Sequence, residues 1–436
     1  MLGKSGFVAM AGALLLAAAA RADTLEEAIR LAELNNPTLE SGRADAALAD
    51  EDLEAARAAG RTTVSLTGQA GYESVDSNRT FAFNNGDRST ASVQLEAAKP
   101  IYTGGRIAAG IRSAEAGIDA ADAALEELRQ SIWVDTISAY MNVRADRETV
   151  RIRKNNVGLL EEQVRAARDR FDVGVVTRTD VALTEARLEG AIAGVAAAEA
   201  QLEASIALYA SITGQVPGPL APPPPVPPLP ETLDAALITA LETNPGLQAA
   251  RERVRQAREA VVAAQAGRRP QLEIVGQAGG QQDLSEDTRD TEVAALVRGN
   301  VPLWTGGQVE SEVRSARLRE HQARLDVQRL EREVRANIAS AWYGYIASER
   351  AIAASQRQVE AAEIAFDGAT QELAVGTRTT LDVLDSEQNL LEARLSLVSA
   401  ERDAQIAAHR LLQVMGLLDA AYLDLPMLMA DDTPVE

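Results

Sequence analysis

Apolar and polar positions along the chain follow two periods, and the same succession of periods is written twice. From Val64 the period is two: Val64, Leu66, Gly68, Ala70 and Tyr72 alternate with Ser65, Thr67, Gln69, Gly71 and Glu73. After a turn-rich segment at 76–88, Val93, Leu95 and Ala97 alternate with Gln94, Glu96 and Ala98. Leu272, Ile274 and Gly276 then alternate with Glu273, Val275 and Gln277, and Val293, Ala295, Val297 and Val301 stand against Arg298 and Asn300. These segments predict four strands of about ten residues, each with one apolar and one polar face, a length that suits a tilted membrane-spanning strand. From Gly105 to Val173 and from Gly307 to Val375 the chain has no proline and is rich in Ala, Leu, Glu, Arg and Gln, the strong helix formers. Each stretch predicts a helix of about 100 Å at 1.5 Å per residue. Shorter helices are expected on return, over 179–213 and 380–415, and others over 37–60 and 245–267, with proline in the opening turn.

The succession is a duplication. Thr24-Leu25-Glu26-Glu27-Ala28 with Asn36-Pro37 returns as Thr232-Leu233-Asp234-Ala235-Ala236 with Asn244-Pro245, an offset of 244 − 36 = 208. Pro100-Ile101-Tyr102-Thr103-Gly104-Gly105 returns as Pro302-Leu303-Trp304-Thr305-Gly306-Gly307, an offset of 302 − 100 = 202, so the second copy lacks six residues in its intervening loop. Val173-Gly174 and Val375-Gly376 keep the offset of 202. Two copies are too few for a solenoid and predict pseudo-twofold symmetry within one architecture. The expected organisation is a signal segment at 1–22, a first repeat at 23–216, a polyproline strap at 217–231, a second repeat at 232–418 and a tail at 419–436.

Four strands cannot close a barrel around a polar lumen, whereas three chains supply 4 × 3 = 12 strands. Composition then places the chain. Lys4, the short apolar run to Ala20 and Ala20-Arg21-Ala22 read as a cleavable export signal. Removing Lys4 and Arg21 takes the formal charge from −21 to −21 − 2 = −23, which argues against nucleic acid as partner. The chain has no cysteine, and no transmembrane helix is expected after residue 22.

Chemistry is sparse. His321 and His409 are the two histidines, and they occupy unrelated places in the repeat. Phosphate loops, metal-ligand spacings and nucleophile elbows are absent from the sequence, so no enzyme and no cofactor is expected. The Thr-Gly-Gly triplets lie where strand meets helix in both copies, and a backbone junction explains them. The densest polar pattern is residues 375–385. Val375-Gly376 reads as a helix C-terminus, Thr379 or Thr380 as the next N-cap, and Asp382 and Asp385 as two carboxylates on one helix face. A capped hairpin with acids suited to the macrodipole would look the same.

These residues together resemble the TolC family of trimeric outer-membrane efflux proteins. The resemblance rests on the Thr24 to Pro37 motif, the Pro-x-aromatic-Thr-Gly-Gly junctions, Arg170-Phe171-Asp172-Val173-Gly174 through Asp180, and Val375 through Asp385. It implies a mostly α fold with a β-barrel part: a shared twelve-stranded outer-membrane barrel in lipid and a helical periplasmic tunnel, formed by a homotrimer. It implies an exit duct for a tripartite efflux pump or type I secretion system, with a periplasmic adaptor and an inner-membrane pump or ABC transporter as partners. Val173, Gly174, Val375 and Gly376 would be adaptor-contacting tips. Arg378 would tie the mouth shut through Thr179 and Asp180, with Asp382 and Asp385 lining the constriction. The duplication aligns Asp382 with Asp180 but Asp385 with Leu183, and Leu373 stands where the family's closing network has a tyrosine. Two other readings remain open from the sequence. A periplasmic coiled-coil adaptor would lack the duplicated strands, and a soluble helical scaffold would stay in the aqueous fraction.

Overall fold

The computed structural model describes residues 23–75, 86–226, 228–283 and 288–419. The expected signal segment lies outside the described residues, as does the tail beyond Asp419. The chain opens with α1 (Leu25–Asn35) and α2 (Pro37–Ala58), followed by β1 (Thr63–Val75) and β2 (Gly86–Tyr102). The long α3 (Arg106–Asp172) and the returning α4 (Arg178–Thr213) complete the first round. The order then recurs as α5 (Leu233–Thr243), α6 (Pro245–Gln265), β3 (Gln271–Asp283), β4 (Thr288–Asn300), α7 (Gln308–Ala374) and α8 (Thr380–Met415). The interval between β1 and β2 is ten residues and that between β3 and β4 is four, which accounts for the change of offset by 10 − 4 = 6.

The four strands form one antiparallel sheet in the order β1-β2-β3-β4. Register pairs like with like: Leu66 opposes Leu95, Leu95 opposes Ala278, and Ala278 opposes Val293. Val64, Leu66, Tyr72, Val93, Leu95, Ile274, Val293 and Val297 therefore share one face, all of them exposed in the single chain. On the other face the Arg298 guanidinium donates to Glu273 at 2.9 Å and Gln277 donates to Glu96 at 2.9 Å. Val275 sits on this polar face and is fully buried. Strands β1 and β4 are edges with no partner among the described residues.

By contacts the chain forms two compact units that cut across the repeats. Among the described residues, one lies within 23–40, 127–244 and 334–419; the other lies within 41–126 and 245–333 and contains the sheet. In the sheet-bearing unit the Thr-Gly-Gly triplets turn strand into helix with positive φ, at 66° for Gly104 and 90° for Gly105. Arg269 packs against Gly104 and donates to its carbonyl at 2.7 Å, and Arg112 pairs with Glu259 at 2.8 Å. In the other unit the core gathers Leu25, Ile29, Trp133, Ile137, Tyr140, Tyr209, Leu412 and Leu418. Of the short helices α1 and α5, which the periodicity left unassigned, α1 supplies Leu25 and Ile29 to it and α5 packs against α8; Thr24 and Thr232 cap them.

The repeated Asn-Pro pairs have a structural reason. Asn36 accepts from the backbone N–H groups of Thr38 and Leu39 and donates to Ile212 O at 3.1 Å, capping α2 and closing the C-terminus of α4 at once. Asn244 donates to Val414 O at 3.0 Å at the end of α8. The proline strap is held to Asp23 by a backbone bridge, with Asp23 N donating to Pro219 O and Ala221 N donating to Asp23 O. Arg147 of α3 donates to the carbonyls of Pro217 and Gly218. Helix α4 is long and apolar enough to cross a membrane by length and composition alone. Its apolarity comes largely from alanine, which offers little surface for lipid but allows close helix packing. Most of that surface is uncovered in one chain.

Candidate functional site

The two Val-Gly turns are built alike. Helix α3 ends with Gly174 at φ +78°, whose N–H donates to Phe171 O while Val175 N donates to Arg170 O. At the end of α7, Gly376 has φ +78°, donates to Leu373 O, and is followed by Thr377 N donating to Glu372 O. Both are the paired bonds of a Schellman termination, which requires a left-handed residue at this place. Val173 and Val375 are exposed at 74% and 75%, so each turn presents an apolar side chain to the surroundings.

The helices that leave the turns begin with full capping boxes. Thr177 caps α4: Asp180 N donates to its hydroxyl, while Asp180 Oδ2 accepts from Thr177 N and Oγ1, both at 2.8 Å. Thr379, not Thr380, caps α8, and Asp382 Oδ2 accepts from Thr379 N at 3.0 Å and Oγ1 at 2.7 Å. The bonds from Thr177 backbone and hydroxyl hold the Asp180 carboxyl below its ordinary range. Those from the Thr379 hydroxyl and backbone, with Arg378 nearby, do the same for Asp382. Thr179 is exposed in the first turn of α4.

Arg378 lies between turn and cap. Its Nε donates to Glu372 Oε2 at 2.8 Å, and Nη1 lies 4.0 Å from Asp382 Oδ1. Within one chain it therefore faces its own hairpin, while Asp180 serves its own cap. Its counterpart in the first copy is 378 − 202 = 176, a valine, and the arginine of the first hairpin, Arg178, stands two positions further on, in the first turn of α4.

Asp385 does not stand free: Arg187 of α4 donates to its Oδ1 at 2.9 Å. Two residues on, Glu387 is buried at 4% exposure. Asn156 of α3 donates to its Oε1 at 3.2 Å, and Oε2 has no hydrogen-bond partner among the described residues. Burial pushes this carboxyl up to about 7, against smaller opposing effects of Gln163 and Arg187. Glu387 lines a cavity of about 1130 Å³ together with Arg151 and Arg394. Arg187, Asn156 and Glu387 escaped the sequence reading, and no local motif marks them, since their partners lie 198 and 231 residues away. His409 is buried and its Nδ1 lies 2.8 Å from Gln405 O, a packing position. Among the described residues no group of His, Asp and Glu could hold a metal ion.

Comparison with known proteins agrees with this architecture. The family model described as "Outer membrane efflux protein" matches residues 28–214 and 236–417. The chain is 32% identical over 420 residues to the outer membrane efflux protein BepC of Brucella suis biovar 1, covering 96% of this chain and 91% of that protein. It is 29% identical to the outer membrane protein TolC of Vibrio cholerae, covering 92% and 93%. Among solved structures, the CmeC outer membrane channel of Campylobacter jejuni superposes with a TM-score of 0.78 at 16% identity, over 90% of this chain and 86% of that one. The chain belongs to the outer membrane efflux protein family, and it is an outer-membrane exit duct of the kind that serves efflux pumps or type I secretion.

Proposed function

We propose that three copies of the chain close one duct, and that the Val-Gly tips form its periplasmic gate. The observation that carries the trimer is the open sheet. Strands β1 and β4 leave a row of unpaired N–H and C=O groups on 13 residues each. Bare strand edges do not persist in hydrocarbon, where each unmet polar group costs several kcal/mol. Joining β4 of one copy to β1 of the next removes every edge after three copies. The apolar face led by Leu66 and Val293 then meets lipid, the Glu96–Gln277 face lines the lumen, and exposed Leu303 and Trp304 sit at the strand–helix junction as an interfacial anchor. The mass of the detergent-purified protein should equal three chains; a stable monomer defeats the closure.

In this reading residues 23–216 and 232–418 are two copies of one unit joined by the strap at 217–231, and export removes 1–22. The duct moves solutes without a catalytic site or cofactor. Val173, Gly174, Val375 and Gly376 offer the tips to a periplasmic adaptor, which couples them to an inner-membrane pump or ABC transporter.

Arg378 is the bolt. Its Nε is committed to Glu372 and its Nη1 lies 4.0 Å from its own Asp382, and a guanidinium has five donors, so N–H groups on Nη1 and Nη2 remain to reach Thr179 and Asp180 of the next copy. Asp180 keeps Oδ1 available because its cap uses Oδ2. Such exposed links are worth about 1 kcal/mol or less each, so the three together hold a mouth that a partner can still open. Arg378→Ser and Asp180→Ala should each raise the conductance of the isolated channel in planar bilayers, and the double variant should add little. Wild-type conductance in both single variants rules out this bolt.

A further inference from the structure

We propose that the second Thr-Gly-Gly junction is a socket for Arg61 of the next copy, and that Arg314 and Glu51 pair across the same seam between copies. The proposal rests on the reading of the duct as a closed trimer and names side chains that set how one copy meets the next.

The duplication places a seam of the same kind inside one chain. In the sheet-bearing unit the helices stand in the order α2, α3, α6, α7, as the strands do: Gly60, just beyond α2, packs on Ile107 of α3, Arg112 of α3 pairs with Glu259 of α6, and Gly267, just beyond α6, packs on Val309 of α7. The first copy therefore meets the second between α3 and α6. Three ties cross there. Arg112 donates to Glu259 Oε2 at 2.8 Å, Ser113 Oγ donates to Gln256 O at 3.3 Å, and Arg269 donates to Gly104 O at 2.7 Å. When β4 of one chain joins β1 of the next, the second copy meets a first copy again, now between α7 and the next chain's α2, a head-to-tail contact that closes as a ring.

The side chains of those ties are written again at this second meeting. Arg112 corresponds to 112 + 202 = 314, an arginine, and Ser113 to 113 + 202 = 315, a serine. Glu259 corresponds to 259 − 208 = 51, a glutamate, and Arg269 to 269 − 208 = 61, an arginine. In the single chain Arg314 and Glu51 are exposed, and neither has a side-chain partner among the described residues. A fourth tie, between Arg255 and Asp119, is not repeated, because Ala47 and His321 stand at the corresponding places.

The socket shows the missing neighbour directly. Gly104 and Gly306 share one backbone conformation, φ +66° and φ +61°. Gly104 is buried, and a Cβ there would fall 2.6 Å from Arg269 Cβ and 3.0 Å from Ala266 O. Gly306 is exposed, and a Cβ there would meet nothing within 4 Å. The counterparts of Arg269 and Ala266 are Arg61 and Ala58, at the end of α2 on the opposite edge of the chain. Arg61 is bound to Glu54 through Nη2 at 2.8 Å, which leaves further N–H groups for the carbonyl of Gly306. The helices carry the same contrast: Ala109, Ala116 and Ala120 of α3 are buried, while their counterparts on α7, Ser311, Leu318 and Gln322, are exposed.

Because the chain has no cysteine, pairs can be introduced one at a time. The test is oxidation of the detergent-purified protein carrying L48C and S315C, the counterparts of Gln256 and Ser113. The expected product is a covalent trimer on a denaturing gel, while S113C with Q256C closes within single chains. Each exposed tie is worth a factor of about 2 to 5, so R61A, which removes three, should raise the dissociated fraction on heating by about 10- to 100-fold. E54A leaves Arg61 in place and should not. E51R should weaken the trimer as R61A does, and E51R with R314E should return toward wild type, which a loss of mere packing would not do. Wild-type dissociation in R61A overturns the socket. A trimeric mass without the cross-link, and without rescue by the charge swap, overturns the seam and leaves the closed trimer standing. A monomeric wild type removes the trimer and this proposal with it. Should the charge variants not assemble, the cysteine pair, which keeps Arg61, Glu51 and Arg314, decides by the same criteria.

Discussion

Gly416→Ala is expected to cost the folded protein more than 4 kcal/mol, while Gly376→Ala costs only about 1 kcal/mol. The two glycines have nearly the same backbone conformation, φ +75° and φ +78°, so the intrinsic strain of a left-handed alanine is common to both. Their surroundings differ. A Cβ on Gly376 meets nothing within 4 Å, because the turn projects into open space. A Cβ on Gly416 would lie 2.5 Å from Thr243 O, 2.8 Å from Thr243 C and 2.9 Å from Asn244 Cα, all backbone atoms. That backbone cannot step aside. The Thr243 hydroxyl donates to Met415 O at 2.6 Å and Asn244 Nδ2 to Val414 O at 3.0 Å, so the end of α8 and the end of α5 are fastened at the point of overlap. Gly214→Ala falls between, since its nearest neighbour is Asn35 Cβ at 3.0 Å, a contact relieved by a shift of a few tenths of an ångström, where Gly416 meets backbone at 2.5 Å. Urea midpoints of the three variants should rank in that order. Equal midpoints for Gly416→Ala and Gly376→Ala would show that α5 and α8 are not locked together here.

This contrast also shows what the sequence could and could not disclose. Period-two alternation in β1–β4 and unbroken helix formers in α3 and α7 act over many residues, so their patterns survive reading without a structure. The Val-Gly turns and Thr379, one of two N-cap candidates, were legible because turns and caps are decided within five or six residues. Helices α1 and α5 were missed: 11 residues each are short for the period to declare itself, and they depend on packing, α1 in the core with Trp133 and Leu412 and α5 against α8. Asn36 was visible as half of a repeated motif, yet its purpose lies at Ile212, 176 residues away. At the tips, Asp382 and Asp385 read in sequence as a pair of carboxylates on one helix face, only the first of which the duplication repeats. In space one is spent on the Thr379 cap and the other on Arg187.

Glu387→Gln is expected to stabilise the protein by up to about 3 kcal/mol at pH 8, with little effect near pH 4.5. Burial lifts the Glu387 carboxyl from an ordinary value of 4.5 to about 7. A carboxyl with a raised folded value binds its proton more tightly in the folded state than in the unfolded one. Its contribution is therefore most favourable below 4.5 and declines as pH rises to about 7, where the folded state must hold a buried charge. The groups facing it decide how much of that cost is offset. Arg187 of α4 opposes it but is shared with Asp385, and Asn156 and Gln163 of α3 are neutral. Across the cavity Arg151 is paired with Glu148, Arg394 with Glu363, and Glu349 of α7 adds a further negative charge to the wall. Glutamine keeps the oxygen that accepts from Asn156 and carries no charge at any pH. Urea unfolding of wild type should lose stability between pH 5 and pH 8 by an amount that the variant does not share. Parallel pH profiles for the two proteins would mean that the Glu387 carboxylate is not buried in the assembled duct.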